Sequence, residues 1–474
     1  MTKKTKIVCT IGPATESQEM LEGLLEAGMN IMRLNFSHGD FEEHERRVKN
    51  LRAAMEKTGK RAGILQDLAG PKIRIGNFKT ESITLKEGQH FTLTIDEIEG
   101  DETRVSINYP HLPQEVAPGH IIFLHDGKKK LEVVEVNGNE VLTKVLIGGD
   151  IKGRRGVNLP DSDLSISCLT EKDRKDLMFG VKHNVDFFAL SFVRRPEDID
   201  ELRKILKENG SEAKIIAKIE TPQAIKNIDE VVLKADGLMV ARGDLAIEIP
   251  AEKVPFAQKM MIQKCNAAGK PVITATQMLE SMINSPVPTR AEVSDVANAI
   301  LDGTDAIMLS EETTLGGYPR EAVRMMSRVA MEVENNYPER EVIHTPGKGK
   351  TDVTDSITGS VVKTAHDVGA KAIIALTHSG FTARMISRYK PQVPVFSLSS
   401  KEKTINQLCV SFGCVPIYSK DWKSVDDAFD MVKKICLEKG IAKTGDKVVI
   451  AAGEHGKDEK NSPKETNMVL VETI

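Results

Sequence analysis

Lys218, Glu220 and Asp244 carry the clearest chemical signal in this sequence. Lys218 and Glu220 share one face at the end of an apolar, strand-like segment, and Asp244 follows the next such segment. Carboxylates are hard oxygen ligands that hold Mg²⁺, or Mn²⁺ in its place, and leave positions open for water and substrate oxygens. A neighbouring lysine can place a point charge on a phosphate. We predict a phosphate-and-magnesium site; the alternative is a structural charge cluster.

Polar side chains end other strand-like segments as well. The carboxyl ends of parallel barrel strands meet at the active site, so these residues are candidates for the same site. Each one alone is also compatible with a salt bridge at the rim, but the convergence of several favours a function. The glycine of the Arg-Gly-Asp triplet can let backbone amides approach a ligand carboxylate. The candidates are Arg33, Asn35, Ser37, His38, Asp67, Arg242, Gly243 and Thr276.

Eight short, nearly continuous apolar segments position these residues. Most are separated by helix-period segments, a pattern typical of parallel strands covered on both faces. We predict an α/β fold whose catalytic domain is a (β/α)₈ TIM barrel, formed by residues 1–70 and 168–344. The predicted strands are KIVCTI from Lys6, NIMRLNF from Asn30, AGILQDL from Ala62, DFFALSFV from Asp186, KIIAKIE from Lys214, GLMVARGDL from Gly237, PVITATQM from Pro271 and AIMLS from Ala306.

One interval between predicted barrel strands is far longer than the others. Residues 71–167 alternate apolar and polar side chains between Gly, Asn and Asp turns, which indicates a small antiparallel β domain. The interval follows the third strand, on the active-site face. We predict a small β-barrel that acts as a lid and excludes water from the site; the alternative is an inert decoration.

A second α/β domain is predicted for residues 345–474. It follows the polar linker TPGKGKTDVTD and begins with a helix over 356–368, followed by five strands. The segment THSGFTAR follows the first of these strands and leads into a helix, which can form an anion cradle. Ordinary turn residues are the alternative reading. The candidate effector residues are Thr377, Ser379, Gly380 and Thr382.

Composition narrows the class of protein. The 65 basic and 69 acidic residues of this 474-residue chain leave a net charge of −4, too near neutral for a general nucleic-acid surface. The sequence contains no run of about eighteen apolar residues that would indicate a membrane span, and no apolar segment of signal-peptide length follows the amino terminus. We expect a cytoplasmic protein. Its six scattered cysteines are typical of small buried hydrophobes rather than of disulfides or zinc ligands.

Long motifs in a fixed order resemble those of the pyruvate kinase family from one end of the chain to the other. The resemblance implies transfer of the phosphoryl group of phosphoenolpyruvate to ADP, giving ATP and pyruvate in the last step of glycolysis. It also implies a homotetramer and a phosphorylated effector bound in the second α/β domain. The motifs are MRLNFSHG (32–39), GPKIR (70–74), AKIET (217–221), MVARGDLAIEIP (239–250), TATQMLESM (274–282), PTRAEVSDVANAILDG (288–303) and IMLSEET (307–313).

The resemblance also implies roles for individual residues. Glu220 and Asp244 would hold Mg²⁺, and Lys218 would stabilise the transferring phosphoryl group. Thr276 would help to deliver a proton to the enolate. The remaining roles are the phosphate clamp, Arg33 and Arg74; the carboxylate-binding backbone, Ala241, Arg242, Gly243 and Asp244; and the nucleotide side, Asn35, His38, Arg74 and Arg195.

This chain departs from the family pattern at Lys72, where many members carry glutamate. In the glutamate form, a K⁺ ion supplies positive charge near the phosphate, in the region that corresponds here to Asn35, Ser37, Asp67 and Leu68. We predict that the Lys72 ammonium supplies this charge, so that K⁺ is not required. His125 with Asp126, where the family often has two aspartates, and Ser310 with Glu311, where it often has Ser-Gly, are further departures.

Two other functions use the same features. A metal-dependent aldolase or lyase that works through a pyruvate enolate could share the barrel, the carboxylates and the arginine, but would need neither lid nor nucleotide pocket. A non-catalytic effector-binding protein could share the fold. The combination of Lys218, Glu220, Asp244 and Thr276 argues against the second alternative.

Overall fold

The computed structural model describes residues 3–337, 352–422, 424–453 and 465–474. The predicted domain boundary at 344/345 and most of the predicted linker lie outside these residues. The chain begins with three strands of a parallel barrel and two helices. Ser17 and Asp40 each accept a backbone hydrogen bond that caps the following helix. The elements are β1 (Lys6–Thr10), α1 (Gln18–Ala27), β2 (Ile31–Asn35), α2 (Phe41–Thr58) and β3 (Gly63–Asp67).

The chain then leaves the barrel to form the predicted insertion. Its strands build a six-stranded sheet in the order β11-β7-β8-β9-β5-β6 and a two-stranded sheet of β10 and β4, which enclose one apolar core. The elements are β4 (Ser82–Leu85), β5 (His90–Thr94), β6 (Arg104–Ser106), α3 (Leu112–Glu115), β7 (Ile121–Leu124), β8 (Lys129–Asn137), β9 (Glu140–Ile147), β10 (Gly149–Lys152) and β11 (Val157–Asn158).

Five further strands complete the barrel, which closes in the order β1-β16-β15-β14-β13-β12-β3-β2. The elements are α4 (Glu171–Lys182), β12 (Phe187–Leu190), α5 (Pro196–Glu208), β13 (Lys214–Ile219), α6 (Pro222–Lys226), α7 (Ile228–Lys234), β14 (Gly237–Ala241), α8 (Arg242–Glu248), α9 (Val254–Ala268), β15 (Val272–Ala275), α10 (Arg290–Asp302), β16 (Ala306–Leu309), α11 (Glu311–Thr314) and α12 (Pro319–Asn335).

The last part of the chain forms an α/β domain with a five-stranded sheet in the order β19-β18-β17-β20-β21. Only the β20–β21 pairing is antiparallel. The elements are α13 (Val353–Asp367), β17 (Ala372–Leu376), α14 (Phe381–Ser387), β18 (Val395–Ser399), α15 (Glu402–Gln407), β19 (Cys414–Tyr418), α16 (Val425–Glu438), β20 (Lys447–Ala452) and β21 (Met468–Thr473).

The barrel interior has its own apolar cluster, which Cys409 and Val410 of the last domain join. The same cluster contains the first residues of strands β2, β12 and β16, namely Ile31, Phe187 and Ala306. The last domain therefore packs at the amino-terminal end of the barrel. This arrangement leaves the carboxyl ends of the strands for the insertion and the candidate site.

The predicted fold class is confirmed, and all eight predicted barrel strands are present. The prediction GLMVARGDL was wrong in extent, because β14 ends at Ala241 and helix α8 begins at Arg242. The reason is tertiary: the Arg242 guanidinium donates to the carbonyl groups of Ala275, the last residue of β15, and of Thr276, which fixes the turn after β14. The helix predicted over 356–368 begins earlier, at Val353.

Two further findings concern the chain as a whole. Within the described ranges, no helix combines the length and the apolar character that crossing a membrane requires. All six cysteines are buried and free. Burial raises the pKa of the Cys436 thiol to about 11, which keeps it protonated at neutral pH.

Candidate active site

Lys218 lies at the centre of the charged residues inside the barrel mouth. Its Nζ lies 2.7 Å from the Ser191 hydroxyl oxygen, 3.0 Å from Glu220 Oε1 and 3.3 Å from Asp67 Oδ1. Burial by itself favours the neutral amine, but the carboxylates of Asp67 and Glu220 outweigh it and raise the pKa of Lys218. Lys218 is therefore a fixed cation at any pH near neutrality.

The two oxygens of Glu220 have different surroundings. Oε2 accepts a hydrogen bond of 2.7 Å from the backbone amide of Phe192, at the turn that follows β12. Oε1 faces Lys218 but accepts no well-aligned hydrogen bond from any residue that the structure describes. Burial, with repulsion from Asp244, raises the pKa of Glu220 despite the attraction of Lys218. A buried carboxylate oxygen that lacks a hydrogen-bond donor is suited to bind a cation.

The donor set fits a divalent cation that also takes ligands from substrate and water. Glu220 directly follows β13, and Asp244 lies in the first turn of α8, after the neighbouring strand β14. Among the described residues, no group of three or more His, Cys, Asp or Glu side chains could enclose a metal. Mg²⁺ is held in this way in phosphoryl-transfer sites, by one or two carboxylates and the substrate phosphates.

Arg33 and Asp67 form a buried pair beside Lys218. Arg33 Nε lies 2.7 Å from Asp67 Oδ2, and its Nη1 donates to the Thr10 hydroxyl at 2.9 Å. Burial would favour the neutral acid, but Arg33 and Lys218 together lower the pKa of Asp67. Arg33 and Lys218 therefore share the buried Asp67 carboxylate, while Lys218 also contacts Glu220.

The turn from β14 into α8 is held by Arg242. Its guanidinium forms a bidentate pair with Asp295, with N–O distances of 2.6 and 2.7 Å, and donates to the carbonyl of Thr276 at 2.8 Å. The Arg242 side chain is thus directed at α10. The first turn of α8, with the Gly243 amide, is held at the barrel mouth, where we predicted the carboxylate-binding backbone.

Thr276 contacts the same turn. Its hydroxyl donates to the Ala275 carbonyl at 2.7 Å and accepts from the Gly243 amide at 2.8 Å. Its backbone has a φ of 73°, a left-handed conformation that is rare for threonine and common at functional sites. A Cβ on Gly243 would lie 3.5 Å from the Thr276 hydroxyl oxygen, an ordinary contact, so packing alone does not require this glycine.

The insertion faces the site across a cleft of about 100 Å³. Asn158 of the insertion donates a hydrogen bond of 2.7 Å to Glu248 of α8. Burial and the nearby Asp244 raise the pKa of Glu248 to about 7. Charged residues line the cleft on both sides: Lys72, Arg74, Asp126, Arg194, Asp244 and Glu248.

The predicted nucleotide-side residues are more dispersed than the Lys218 cluster. His38 and Arg195 are exposed at the barrel rim, and Arg195 lies 3.8 Å from Asp198. Asn35 accepts the backbone amide of Ser37 at 3.2 Å. Arg74 donates to the carbonyl of Arg154 within the insertion. Within the part of the chain that the structure describes, none of these four side chains forms a hydrogen bond with another of them.

The remaining predicted residues are Lys72 and those of the candidate effector site. Lys72 is exposed and lines the same cleft as Asp244. In the last domain, Thr377 and Thr382 are buried, and the Thr382 hydroxyl bonds that of Thr466 at 2.9 Å. Gly380 has a φ of 77° and precedes helix α14, and the Ser379 carbonyl accepts from Arg384.

Sequence reasoning missed four residues that the structure brings to the site: Ser191, Phe192, Glu248 and Asp295. Ser191 and Phe192 lie near the end of the predicted strand DFFALSFV, so the rule that strand ends point at the site could have found them. Asp295 lies in the middle of a helix. Its pairing with Arg242 depends on tertiary proximity that no local pattern indicates.

A closed parallel barrel, with an inserted β domain and a buried Lys–Glu–Asp cluster at its carboxyl end, defines this protein as a TIM-barrel enzyme. The sequence model of the pyruvate kinase barrel domain matches residues 2–323, and that of the pyruvate kinase alpha/beta domain matches residues 355–472. The chain belongs to the pyruvate kinase family, and it is a phosphotransferase.

Individual relatives agree over nearly the whole chain. A pyruvate kinase from Bacillus licheniformis is 48% identical over 96% of this chain and 78% of its own length. One from Clostridium acetobutylicum is 43% identical over 100% of both chains. The crystal structure of a pyruvate kinase from Cryptosporidium parvum has a TM-score of 0.94 at 38% identity, covering 99% of this chain and 96% of that one.

Proposed function

We propose that this chain transfers the phosphoryl group of phosphoenolpyruvate to ADP, giving ATP and pyruvate in glycolysis. The observation that carries the proposal is the buried contact of Lys218 with Glu220 and Asp67, beside Arg33. It combines two fixed cations for a phosphate with a carboxylate suited to a divalent metal. Family membership supplies the substrates.

The acidic and basic residues of the site have different roles: the carboxylates would bind the metal, and the cationic side chains bind the phosphoryl group. Mg²⁺, or Mn²⁺ in its place, would be held by Glu220 and Asp244 and would supply positive charge to the phosphate and the enolate oxygen. Lys218 stabilises the charge that spreads over the oxygens of the transferring phosphoryl group, and Arg33, with Arg74 from the insertion side, orients that group. The site thus acts mainly by positioning and electrostatics.

The substrate carboxylate is assigned to the backbone of Ala241, Arg242, Gly243 and Asp244. This assignment is supported by the bond between Arg242 and Asp295, which fixes the turn from β14 into α8. Thr276 orders the Gly243 amide. Since its hydroxyl proton already bonds the Ala275 carbonyl, proton delivery to the enolate requires that bond to open or a water to intervene.

The nucleotide is assigned to the side of the mouth that carries Asn35, His38, Arg74 and Arg195, with the insertion closing over it as a lid. Asn158 and Glu248 support this role of the insertion, because they join it to α8 beside Asp244. We also propose that Lys72 replaces K⁺ in the region of Asn35, Ser37, Asp67 and Leu68. Its side chain lines the same cleft as Asp244, which supports this substitution.

We also propose an allosteric site and an oligomeric state for this chain, by analogy with the family. We assign a phosphorylated effector to the segment with Thr377, Ser379, Gly380 and Thr382, a cytoplasmic location and a homotetrameric assembly. The domain limits of 1–70 with 168–344, 71–167 and 345–474 are kept as proposals. Titration of the protein with candidate sugar phosphates at low phosphoenolpyruvate concentration tests the effector, and sedimentation tests the tetramer.

Pyruvate formation from phosphoenolpyruvate, measured with and without ADP, tests the proposed reaction. We expect formation of pyruvate and ATP in equal amounts, and only when ADP and Mg²⁺ are present. Turnover without ADP would favour a lyase working through the same enolate. Absence of turnover, with binding of a sugar phosphate intact, would favour a non-catalytic effector-binding protein.

A further inference from the structure

The turn after β12 contains a buried hydroxyl group that the proposed reaction does not use. Ser191 is 1% exposed, and its Oγ accepts a hydrogen bond from Lys218 Nζ at 2.7 Å. The hydroxyl donates its own proton to the carbonyl of Leu68 at 2.7 Å. A hydroxyl has one proton and two lone pairs, so this donation directs a lone pair towards Lys218.

Ser191 differs from the other two partners of Lys218. Glu220 is a proposed metal ligand, and Asp67 also binds Arg33, so both carboxylates have a second task. An ammonium group has three N–H donors, and one of them must turn to the phosphate when substrate binds. The neutral Ser191 hydroxyl is the partner that can retain its contact while charges around the other two change.

The same turn positions the metal ligand independently. The amide of Phe192, the next residue, donates to Glu220 Oε2 at 2.7 Å. Phe192 has a φ of 55°, so this backbone conformation is strained for a phenylalanine. Removing the Ser191 hydroxyl therefore removes a partner of Lys218 and leaves the hydrogen bond from the Phe192 amide to Glu220 in place.

We propose that Ser191 is a positioning residue that holds the Lys218 ammonium group in line with the transferring phosphoryl group. This inference rests on the proposed function. The carbonyl of Leu68, which accepts the hydrogen bond from Ser191, lies just before the insertion. The hydroxyl therefore also connects Lys218 to the segment that leads into the lid. Ser191 acts through Lys218 and needs no contact of its own with substrate.

The Ser191→Ala variant tests the inference. Losing a hydrogen bond to a charged group predicts a kcat lower by roughly 10- to 100-fold. The KM for phosphoenolpyruvate should change by less than about threefold, because Arg33 and the metal ligands remain. Mn²⁺ affinity, measured by electron paramagnetic resonance, should equal that of the unmodified protein, because Phe192 still holds Glu220.

A second readout separates positioning from general damage. Exchange of the pyruvate methyl hydrogens with solvent deuterium, measured with Mg²⁺ and inorganic phosphate, reports the proton step without phosphoryl transfer. We expect Ser191→Ala to retain most of this exchange, since the proton step does not depend on where the Lys218 charge is directed. Equal losses of exchange, Mn²⁺ affinity and kcat would indicate a merely structural role and overturn the inference.

Two controls complete the design. Ser397, a buried serine of β18, bonds the carbonyl of Val395 at 3.3 Å far from the barrel mouth, and Ser397→Ala should keep normal kcat. If Ser191→Ala does not fold, Ser191→Cys preserves the volume and offers only a weak acceptor. A normal kcat in whichever variant folds would overturn the inference. Failure of ADP-dependent turnover in the unmodified protein would instead overturn the proposed function.

Discussion

The ammonium nitrogen of Lys218 lies 3.0 Å from Oε1 of Glu220, inside a barrel mouth where both side chains are nearly inaccessible to water. Burying two charges is costly unless each has partners. Here the pair is extended by Asp67, Arg33 and Ser191, so that each charge has more than one contact. The arrangement combines a fixed cation with an oxygen that is available to a metal, which phosphoryl transfer requires.

Glu220→Gln should remove the metal without unfolding the barrel. The amide keeps the shape of the carboxylate and an oxygen for the Phe192 amide, but it lacks the charge that a divalent cation needs. We expect Mn²⁺ affinity to fall at least about 100-fold, measured by isothermal titration calorimetry. Glu201→Gln, which alters an exposed pair with Arg174, is the matched control. Unchanged affinity in Glu220→Gln would exclude Glu220 as a ligand.

Lys72→Glu should make activity dependent on K⁺. With Lys72 in place, we expect equal rates when sodium and potassium are replaced by a bulky organic cation, because the ammonium group supplies the charge. The glutamate variant loses this charge and should recover turnover only when K⁺ is added. Lys79→Glu changes an exposed lysine of the same segment, which pairs with Asp101, and should leave the cation dependence unchanged. A rate in the unmodified protein that collapses without K⁺ would refute the assignment.

Arg242→Lys should weaken substrate binding without direct loss of a ligand contact. Lysine cannot reproduce the bidentate pair with Asp295 together with the bond to the Thr276 carbonyl, so the first turn of α8 loses its support. We expect the KM for phosphoenolpyruvate to rise roughly 10-fold. The control is Arg203→Lys, at a pair with Asp236 on the barrel exterior. Equal KM values in the two variants would show that the Arg242 fork is dispensable.

Glu248 should make stability depend on pH. Its pKa rises from an ordinary value of 4.5 to about 7 on folding, so the folded chain binds the extra proton between these values. The contribution of this group to stability is therefore present below about pH 4.5 and is lost as the pH rises through about 7. Glu248→Gln stays neutral and can still accept the bond from Asn158.

Thermal unfolding midpoints at several pH values measure this effect. We expect the unfolding midpoint of the Glu248→Gln variant to rise relative to that of the unmodified protein as the pH increases from 5 to 8. Glu81→Gln is a control, because Lys152 lowers the pKa of the exposed Glu81 and its contribution to stability then varies only below about pH 4.5, so its midpoint difference should stay constant between pH 5 and pH 8. A midpoint difference for Glu248→Gln that is the same at both pH values would contradict the raised pKa of Glu248.

Most of the fold was predictable because the barrel strands are short, apolar and regularly spaced. The same rule placed Lys218, Glu220 and Asp67 together, since their strands end at one edge. It did not predict that β14 ends at Ala241, because another apolar residue, Leu245, follows the Arg-Gly-Asp triplet and was assigned to the strand, although it is buried in α8. Local patterns report apolar character but not the point at which a chain turns.

The contacts that support the site were harder to predict than the charged residues themselves. Asp295 reaches Arg242 from a helix 53 residues further along the chain, and Asn158 reaches Glu248 from the insertion. Their pairing is a consequence of how the insertion and α10 pack on the barrel. Ser191 was easier to predict as a site residue, because it lies within the predicted strand DFFALSFV and directly follows the observed strand β12.

A single-turnover measurement on Lys218→Met tests the central claim most directly. Phosphoenolpyruvate, ADP and Mg²⁺ are mixed with excess enzyme, and ATP formation is followed over time, while circular dichroism and Mn²⁺ binding confirm fold and metal site. We predict normal fold, largely unchanged Mn²⁺ binding and no detectable phosphoryl transfer, because the buried cation at the phosphate is lost. Near-normal ATP formation in this variant would contradict the assignment of Lys218.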